Sequence, residues 1–526
     1  MSRVTLFSAT LGEDGKVEPP LGPLYIAAAI ESIGWTVDFR DFQLCDEGNA
    51  FDPDAMCRYL EGHERFLLVS CFVDMLPVVI AAAKKLKARR PDSYILLGGP
   101  GPSARAAEIL AQFPQIDAIV QGEGDETIVE WAERIAGGTA VDPIPGAVFR
   151  HRGVVVEGPP RTRIAQSRLT MLPAYHLLDW PKYSGARVIT TRGCPYHCSF
   201  CDVAPLWGRK AVYRDLENTI DEMVLLRERH DKEMIAIVDD TFVLNRDRVR
   251  AFCRMMIERG LDIKWGCFGR INLMSESLIE LMARAGCRAI FYGIDSGSPK
   301  ILGQTAKEID ADSILPILAL SAQYFDDVEA SFIWGYPFET LADFRLTLKM
   351  AAEASQWAPK VNVQLHMLSP LPNSPLYKRF EGELSYPEEA DKDWLLLPAL
   401  LLDSRAAAVR SIIAEAPHLF PGFFNFPTPA KSAKRAQLRQ VLEALHSTIG
   451  RAVLDKSVAV LLDREDPACE VRLMSKPTRV ADRIGTGLAL GFFRRTRAHG
   501  AKNPLSGARG AAMIRERNDH AGSRSQ

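Results

Sequence analysis

Long apolar runs are the first thing this sequence lacks. The longest candidate, Leu395 to Leu402, is interrupted by Pro398 and falls far short of the ~20 residues that a helical bilayer crossing needs. No leader segment is expected either, since Met1-Ser2-Arg3 runs straight into the strand-like Val4-Thr5-Leu6-Phe7. Neither charge sign dominates: 64 Lys and Arg against 66 Asp and Glu leave a formal charge of −2, which gives no sign of a nucleic-acid or acidic partner. Cysteine is sparse, ten in 526 residues, and this excludes a scaffold built on disulfides. No period of the solenoid kind recurs. These absences lead us to expect a soluble, cytoplasmic chain with no membrane span and no nucleic-acid partner, long enough for two or three domains.

What is present is strand–helix alternation, twice over. From residue 1 to about 140, strands are expected at Val4–Phe7, Thr36–Phe39, Phe66–Ser70, Tyr94–Leu97 and Ala118–Val120. Helical patterns separate them at Leu24–Ile33, Asp54–Glu61, Leu76–Ala88, Ala104–Phe113 and Glu126–Ile135. This order predicts an α/β domain, a doubly wound parallel sheet whose ligands would sit at the carboxyl ends of the strands. Residues 141–185 are proline-rich, carry a short hairpin at Ala147–Phe149 and Val154–Val156, and read as a linker. Alternation resumes over 186–380, with strands expected at Val188–Thr191, Met234–Val238, Lys264–Phe268, Ala289–Gly293, Glu329–Trp334 and Val361–Leu365. Six units suit a partial TIM-type barrel, a (β/α)6 unit rather than a closed (β/α)8 one. A mainly helical region is expected over 381–490, positioned as a substrate cover, and a disordered basic tail over 491–526. The aromatic residues Phe420, Phe423, Phe424 and Phe426 read as core before they read as a pocket wall.

Seven cysteines are scattered (Cys45, Cys57, Cys71, Cys253, Cys267, Cys287 and Cys469) and read as small buried apolar residues. The other three, Cys194, Cys198 and Cys201, fall within eight positions, spaced C-x-x-x-C-x-x-C directly after an expected strand. Three thiolates on one loop can each hold one iron of a cubane and leave the fourth iron open for a substrate. The competing readings are a zinc site completed by His197 or a distant ligand, and three unrelated buried thiols. Zinc knuckles favour a second C-x-x-C pair, and no such pair follows.

The stretch Thr190-Thr191-Arg192-Gly193-Cys194-Pro195-Tyr196-His197-Cys198-Ser199-Phe200-Cys201 resembles the signature of the radical S-adenosylmethionine (SAM) superfamily. Later segments resemble that family in the same order: Ile237-Val238-Asp239-Asp240-Thr241-Phe242, Gly269-Arg270-Ile271-Asn272, Phe291-Tyr292-Gly293-Ile294-Asp295-Ser296-Gly297-Ser298, Trp334-Gly335-Tyr336-Pro337-Phe338-Glu339-Thr340, and a Pro-rich run from Leu368 to Tyr377. Taken alone, Asp239–Asp240 reads as a helix cap and Gly293 as a close-packing residue; in series behind the cysteine loop they carry the resemblance. It implies a [4Fe-4S] cluster on Cys194, Cys198 and Cys201, with SAM chelated to the open iron and cleaved by one electron to a 5′-deoxyadenosyl radical. It further implies SAM contacts from Phe200, Asp239, Asp240, Arg270, Asp295, Ser296 and Gly335. Asp295 departs from the family, which carries Glu there.

Residues 1 to about 140 resemble the cobalamin-binding domain that precedes many radical SAM enzymes. The matching pieces are Pro19 to Tyr25, Val69-Ser70, Gly98-Gly99-Pro100-Gly101 and Gly122-Glu123-Gly124-Asp125-Glu126-Thr127. Contacts to cobalamin are thereby implied for Pro20, Leu21, Gly22, Ser70, Gly98, Gly99, Gly122, Glu123 and Gly124. The D-x-H-x-x-G segment that supplies a histidine to cobalt is absent, and His63 and His151 read as surface residues. The combined resemblance, to class B radical SAM methyltransferases, implies methylation of an unactivated carbon, less often phosphorus, of a secondary-metabolite or cofactor-pathway substrate, a small molecule or peptide, with an external electron donor such as a flavodoxin or ferredoxin. The alternatives are a cobalamin-dependent radical SAM cyclase without methyl transfer, and a cluster- or cobalamin-based sensor.

Overall fold

The computed structural model describes residues 2–11, 16–46, 50–137, 143–166, 169–389 and 406–446. The expectations for Leu395 to Leu402, for Cys469 and for the tail 491–526 lie outside the described residues.

Five strands build the parallel part of the first sheet: β1 (Arg3–Ala9), β2 (Thr36–Asp41), β3 (Phe66–Cys71), β4 (Tyr94–Gly98) and β5 (Ala118–Val120), in spatial order β2-β1-β3-β4-β5. Both faces are covered, which is why these strands are almost continuously apolar. Val4, Leu6, Leu68 and Leu96 pack with Ala27, Ile30, Ile128 and Trp131 of helices Leu21–Glu31 and Asp125–Gly137. Phe7, Val69, Ile95 and Leu97 pack on the opposite side with Met56, Val79, Ile80 and Ile109 of helices Pro53–Tyr59, Leu76–Arg89 and Ala106–Gln112.

The expected linker needs correction. Its hairpin, β6 (Ala147–His151) and β7 (Val154–Glu157), continues the first sheet as two antiparallel strands beyond β5. The apolar Val148 and Phe149 have a covered face to fill there, and a free strand edge at β5 offers the hydrogen bonds. His63 also departs from expectation. The left-handed Gly62 turns the chain inward, His63 is only 5% exposed, and burial lowers its basicity. His151 is half-buried in β6.

The second sheet is parallel throughout, in order β15-β14-β13-β12-β11-β8, from β8 (Ala186–Val188), β11 (Met234–Ile237), β12 (Lys264–Gly269), β13 (Cys287–Asp295), β14 (Asp327–Trp334) and β15 (Val361–Met367). It is the partial barrel, with helices on its outer side. Those helices start where side chains cap them: Asp215 accepts from the Asn218 amide, Ser275 from Leu278, and Thr340 and Asp343 form a reciprocal capping box. The expected first strand, Val188–Thr191, is shorter than predicted. It ends at Val188, and Thr191–Arg192 instead forms β9, paired antiparallel with β10 (Val212–Tyr213). The Asp239 carboxylate causes the break, because it accepts from the amides of both Thr190 and Thr191 and draws the chain off the sheet.

The described C-terminal residues reach both sheets. Helix Ala407–Glu415 places Val409, Ile412 and Ile413 in the core around helix Leu76–Arg89, and Phe420 and Phe423 extend the same core. Helix Lys431–His446 packs Leu438 and Val441 on the barrel, and Phe426 joins a small cluster with Tyr336 and Tyr377.

Candidate active site

The cysteine loop leaves β9 at Gly193, whose φ of +93° suits glycine alone, and a Cβ there would stand 3.0 Å from the Lys210 carbonyl. Main-chain bonds hold the loop from three sides. The Gly193 amide donates to Asp240 (3.2 Å), the Ser199 amide to the Thr305 carbonyl (2.9 Å), and the Leu376 amide to the Ser199 carbonyl (2.7 Å). Each thiol has a donor of its own. Cys194 receives the Tyr196 amide, Cys198 the Arg270 guanidinium (Nη1 to Sγ, 3.7 Å), and Cys201 the Val203 amide (3.4 Å), while the Thr241 hydroxyl donates to the Asp240 carbonyl (2.6 Å). Burial pushes the Cys201 thiol up to about 12 and raises Cys194 too, so both stay protonated until a cation arrives.

Of the residues implied for SAM, Asp240, Arg270, Phe200 and Gly335 gather around this loop. Asp240 opens to solvent on one side, while the protein packed behind it and the Asp239 carboxylate hold its carboxyl up at about 6. Arg270 stacks on the Tyr196 ring at 3.7 Å, donates from Nε to Asn272, and leaves Nη2 buried without a partner. Phe200 meets Tyr336 edge-on at 6.1 Å. Gly335 (φ +92°) donates its amide to Glu339 (2.8 Å).

The other three have partners already. Asp239 is wholly enclosed by Thr190 and Thr191, with the Thr190 hydroxyl 2.6 Å from Oδ2. Asp295, in the left-handed region at φ +69°, is paired with Lys307, which also stands over the Phe200 ring. Ser296 bonds the Thr347 hydroxyl (3.0 Å) and accepts from the Ser298 amide (3.1 Å).

The residues implied for cobalamin divide likewise. Gly22 and Gly98 border open space, and Gly122 (φ +68°) looks across at the cysteine loop's following turn: a Cβ there would lie 3.9 Å from the Leu206 carbonyl. Pro20 and Leu21 are buried at the start of the first helix, and Ser70 is half-buried at the end of β3. Gly99 lacks room for a side chain, because a Cβ would strike the Cys71 carbonyl at 2.7 Å; at Gly124 one would meet Ile26 at 2.9 Å. The Glu123 carboxylate is engaged by Arg163 (2.9 Å) and by the Ile164 amide (2.9 Å).

Reasoning from sequence missed a polar ladder on β14 and β15. Residues there that alternate with the helix-facing core point to the inner side of the sheet. Asn362 donates to Asp327 (2.6 Å), Gln364 to Glu329 (2.6 Å), and His366 pairs with the Gln364 amide oxygen (3.0 Å). That oxygen only accepts, so the imidazole Nε2 carries the proton and Nδ1 keeps a lone pair. Phe268 and Phe291, 5.3 Å apart, stand on the inner side of β12 and β13. The signal for the ladder was the polar alternation Asn362-Gln364-His366 in an otherwise apolar strand.

Burial lowers His366 to about 4, so the imidazole is neutral at pH 7. In the unfolded chain it titrates near 6.5. The unfolded state therefore binds the extra proton between those values, and the contribution of His366 is complete above pH 6.5 and lost as pH falls towards 4. The shift corresponds to about 3 kcal/mol. Urea denaturation across this window is expected to show a shallower pH slope for His366→Gln than for the parent; parallel slopes would refute the assignment.

Comparison with known proteins agrees with this geometry. The model of the radical SAM superfamily matches residues 188–351, and that of the B12 binding domain matches residues 8–132. The chain is a radical SAM enzyme. It belongs to the members of that superfamily that carry a B12-binding domain in front of the barrel, and its cofactors are a [4Fe-4S] cluster, SAM and cobalamin. It is 28% identical over 349 residues to an uncharacterised methyltransferase of Pyrococcus horikoshii, covering 64% of this chain and 74% of that one. It is 27% identical over 388 residues to the anaerobic magnesium-protoporphyrin IX monomethyl ester cyclase of Rubrivivax gelatinosus (68% and 66%). It is 25% identical over 369 residues to the cytidylyl-2-hydroxyethylphosphonate methyltransferase of Streptomyces wedmorensis (60% and 69%). Among solved structures, the cobalamin-dependent SAM radical enzyme OxsB superposes with a TM-score of 0.66 at 15% identity, covering 88% of this chain and 75% of that one. The radical SAM methyltransferase TsrM from Kitasatospora setae gives 0.59 at 18% (74% and 76%). At these identities the two structures establish the shared fold.

The residues present fit these cofactors. One loop offers three thiols, each with an N–H donor of the kind that stabilises cluster thiolates. Arg270 Nη2, cationic and unpartnered, suits a carboxylate beside the cluster. The open flanks of Gly22, in the first turn of helix Leu21–Glu31, and of Gly98, at the end of β4, suit the close approach of a flat macrocycle. Among the described residues no helix is long and apolar enough to cross a membrane.

Proposed function

We propose that this enzyme is a cobalamin-dependent radical SAM methyltransferase acting on an unactivated carbon of a small-molecule or peptide substrate. The observation that carries the reading is the facing of two segments in one chain: the Gly122–Asp125 loop after β5 of the first sheet stands against Leu206 and Arg192, on either side of the three-cysteine loop. When bound, the cluster and SAM supply a radical able to remove a substrate hydrogen, and cobalamin carries the methyl group.

The chain's own residues then have these tasks. Cys194, Cys198 and Cys201 hold the cluster. Asp240, ionised at neutral pH, and Arg270 hold the amino and carboxylate groups of SAM, with Phe200 and Gly335 shaping the same recess. Asp239, Asp295 and Ser296 act behind them, bracing the loops that these groups stand on. Gly22, Gly98 and Gly122 border the cobalamin. Neutral His366, with its Nδ1 lone pair, accepts a hydrogen bond from the substrate inside the barrel, opposite Phe268 and Phe291. The electron comes from an external flavodoxin- or ferredoxin-like donor, in the reducing cytoplasm that an oxygen-sensitive cluster requires.

The relatives include cyclases as well as methyltransferases, so the test must separate them. Incubating the anaerobic, reconstituted enzyme with methyl-labelled SAM and candidate metabolites is expected to give a labelled product. An unlabelled, ring-closed product would instead assign a cyclase, and absence of any SAM cleavage would leave a sensor. The anaerobically purified protein is expected to bind close to one cobalamin per chain, read from its visible spectrum; failure to bind under every loading condition would remove the methyl-carrier role.

A further inference from the structure

The loop Gly122-Glu123-Gly124-Asp125 carries two carboxylates: Asp125 is spent on Arg192 at the start of the cysteine loop, and Glu123 chiefly on Arg163 and the Ile164 amide of the connecting segment. Asp125 meets Arg192 in two parallel bonds, Oδ2 to Nη1 at 3.0 Å and Oδ1 to Nη2 at 3.1 Å, and Glu123 Oε1 lies 3.5 Å from the same Nη1. Arg192 stands two residues before Cys194, and its guanidinium lies over the Tyr25 ring at 5.1 Å. Glu123 Oε2 is held by Arg163, whose remaining nitrogens donate to the carbonyls of Arg192 and Lys210 (3.2 Å each). Those carbonyls flank the cysteine loop on both sides. The side chains of Glu123, Arg192 and Asp125 are 7%, 10% and 11% exposed. A buried, fork-to-fork pair of this kind adds little net stability over an apolar contact, but it fixes register and angle.

We propose that Asp125 and Arg192 are positioning residues that fix the cobalamin-binding sheet against the cysteine loop, so that this ion pair sets the relation between the two cofactor sites. The inference rests on the function proposed above and gives Glu123 and Asp125 a task other than contact with cobalamin. Its chemical sense is alignment: chemistry shared between two bound cofactors tolerates little displacement, and a shift of ~1 Å can cost about a hundredfold in rate.

The test uses Asp125→Asn, Arg192→Lys and the conservative Asp125→Glu in the full chain. Hydrogen–deuterium exchange of the cofactor-free protein reads the loop 193–201. Iron and cobalamin contents, and pulsed EPR of the distance between reduced cluster and Co(II), read the loaded protein. Asp125→Asn is expected to keep both cofactors, raise exchange in the loop on the order of tenfold, and broaden the cluster–cobalt distance distribution. Asp125→Glu is expected to restore a narrow distribution, which a merely structural contact would not require. Arg192→Lys keeps the charge but not the fork; it is expected to behave as Asp125→Asn does and serves if that variant fails to fold. Unchanged exchange and distance would overturn the proposal, and so would selective loss of cobalamin, since that would make the carboxylate a ligand. If the parent itself bound no cobalamin, the proposed function would fall, while the exchange measurement would still decide the latch.

Discussion

A Cys198→Ala variant is expected to purify without the brown cluster absorption and to form no 5′-deoxyadenosine from SAM, while its circular dichroism and elution volume match the parent. The expected loss is complete because three irons each need a thiolate and the loop has no spare one. The fold survives because Cys198 contributes no core packing; it is half-buried, and its sulfur meets Arg270 at 3.7 Å. The loop's path is held by main-chain bonds at Ser199 and by Asp239 and Asp240, none of which uses the Cys198 side chain. Such a truncation costs about 1 kcal/mol or less. SAM cleavage at the parental rate in this variant would refute the cluster assignment.

The largest expected effect on stability is at Lys434. Its ammonium is fully buried and donates to the Glu339 carboxylate (2.9 Å), the Glu339 carbonyl (2.7 Å) and the Thr428 hydroxyl (2.8 Å). Lys434→Ala leaves the Glu339 carboxylate buried without its cation, and such a loss costs about 3–5 kcal/mol. Because Glu339 also takes the Gly335 amide, the same variant is expected to weaken SAM binding. The double variant Lys434→Met with Glu339→Gln should recover most of the stability, since no buried charge is left over. Chemical denaturation of the three proteins checks this; equal midpoints for Lys434→Ala and parent would show that the pair carries no such weight.

How much of this was legible in the sequence follows from range. The cysteine spacing is local, and the strands of both sheets announce themselves by apolar runs between helical periods, so their order and most of their positions could be read. The hairpin at 147–157 could not be placed, because nothing within it says that the edge of β5 is free. Site residues were legible as a set but not by task. Asp239 and Asp240 are neighbours in sequence, yet one is enclosed by Thr190 and Thr191 and the other faces the open recess. Glu123 and Asp125 lie in a loop that resembles a cofactor motif, but their partners Arg163 and Arg192 come from about 40 and 67 residues away. Lys434, some 95 residues beyond Glu339, carried no sequence signal. Side-chain pairing across such separations is a tertiary property, and single-sequence patterns do not encode it.

The segment from Ala406 to Phe423 completes a hydrophobic core whose other members belong to the first sheet and the helices on one of its faces, while the helix that follows it is anchored on the barrel. The chain therefore does not divide into interchangeable modules along its length. A chimera that swaps in another protein's first domain at residue 160 would leave this late segment facing a foreign helix surface. Exchange of cofactor domains among such enzymes, in evolution or at the bench, has to move two distant stretches of sequence together.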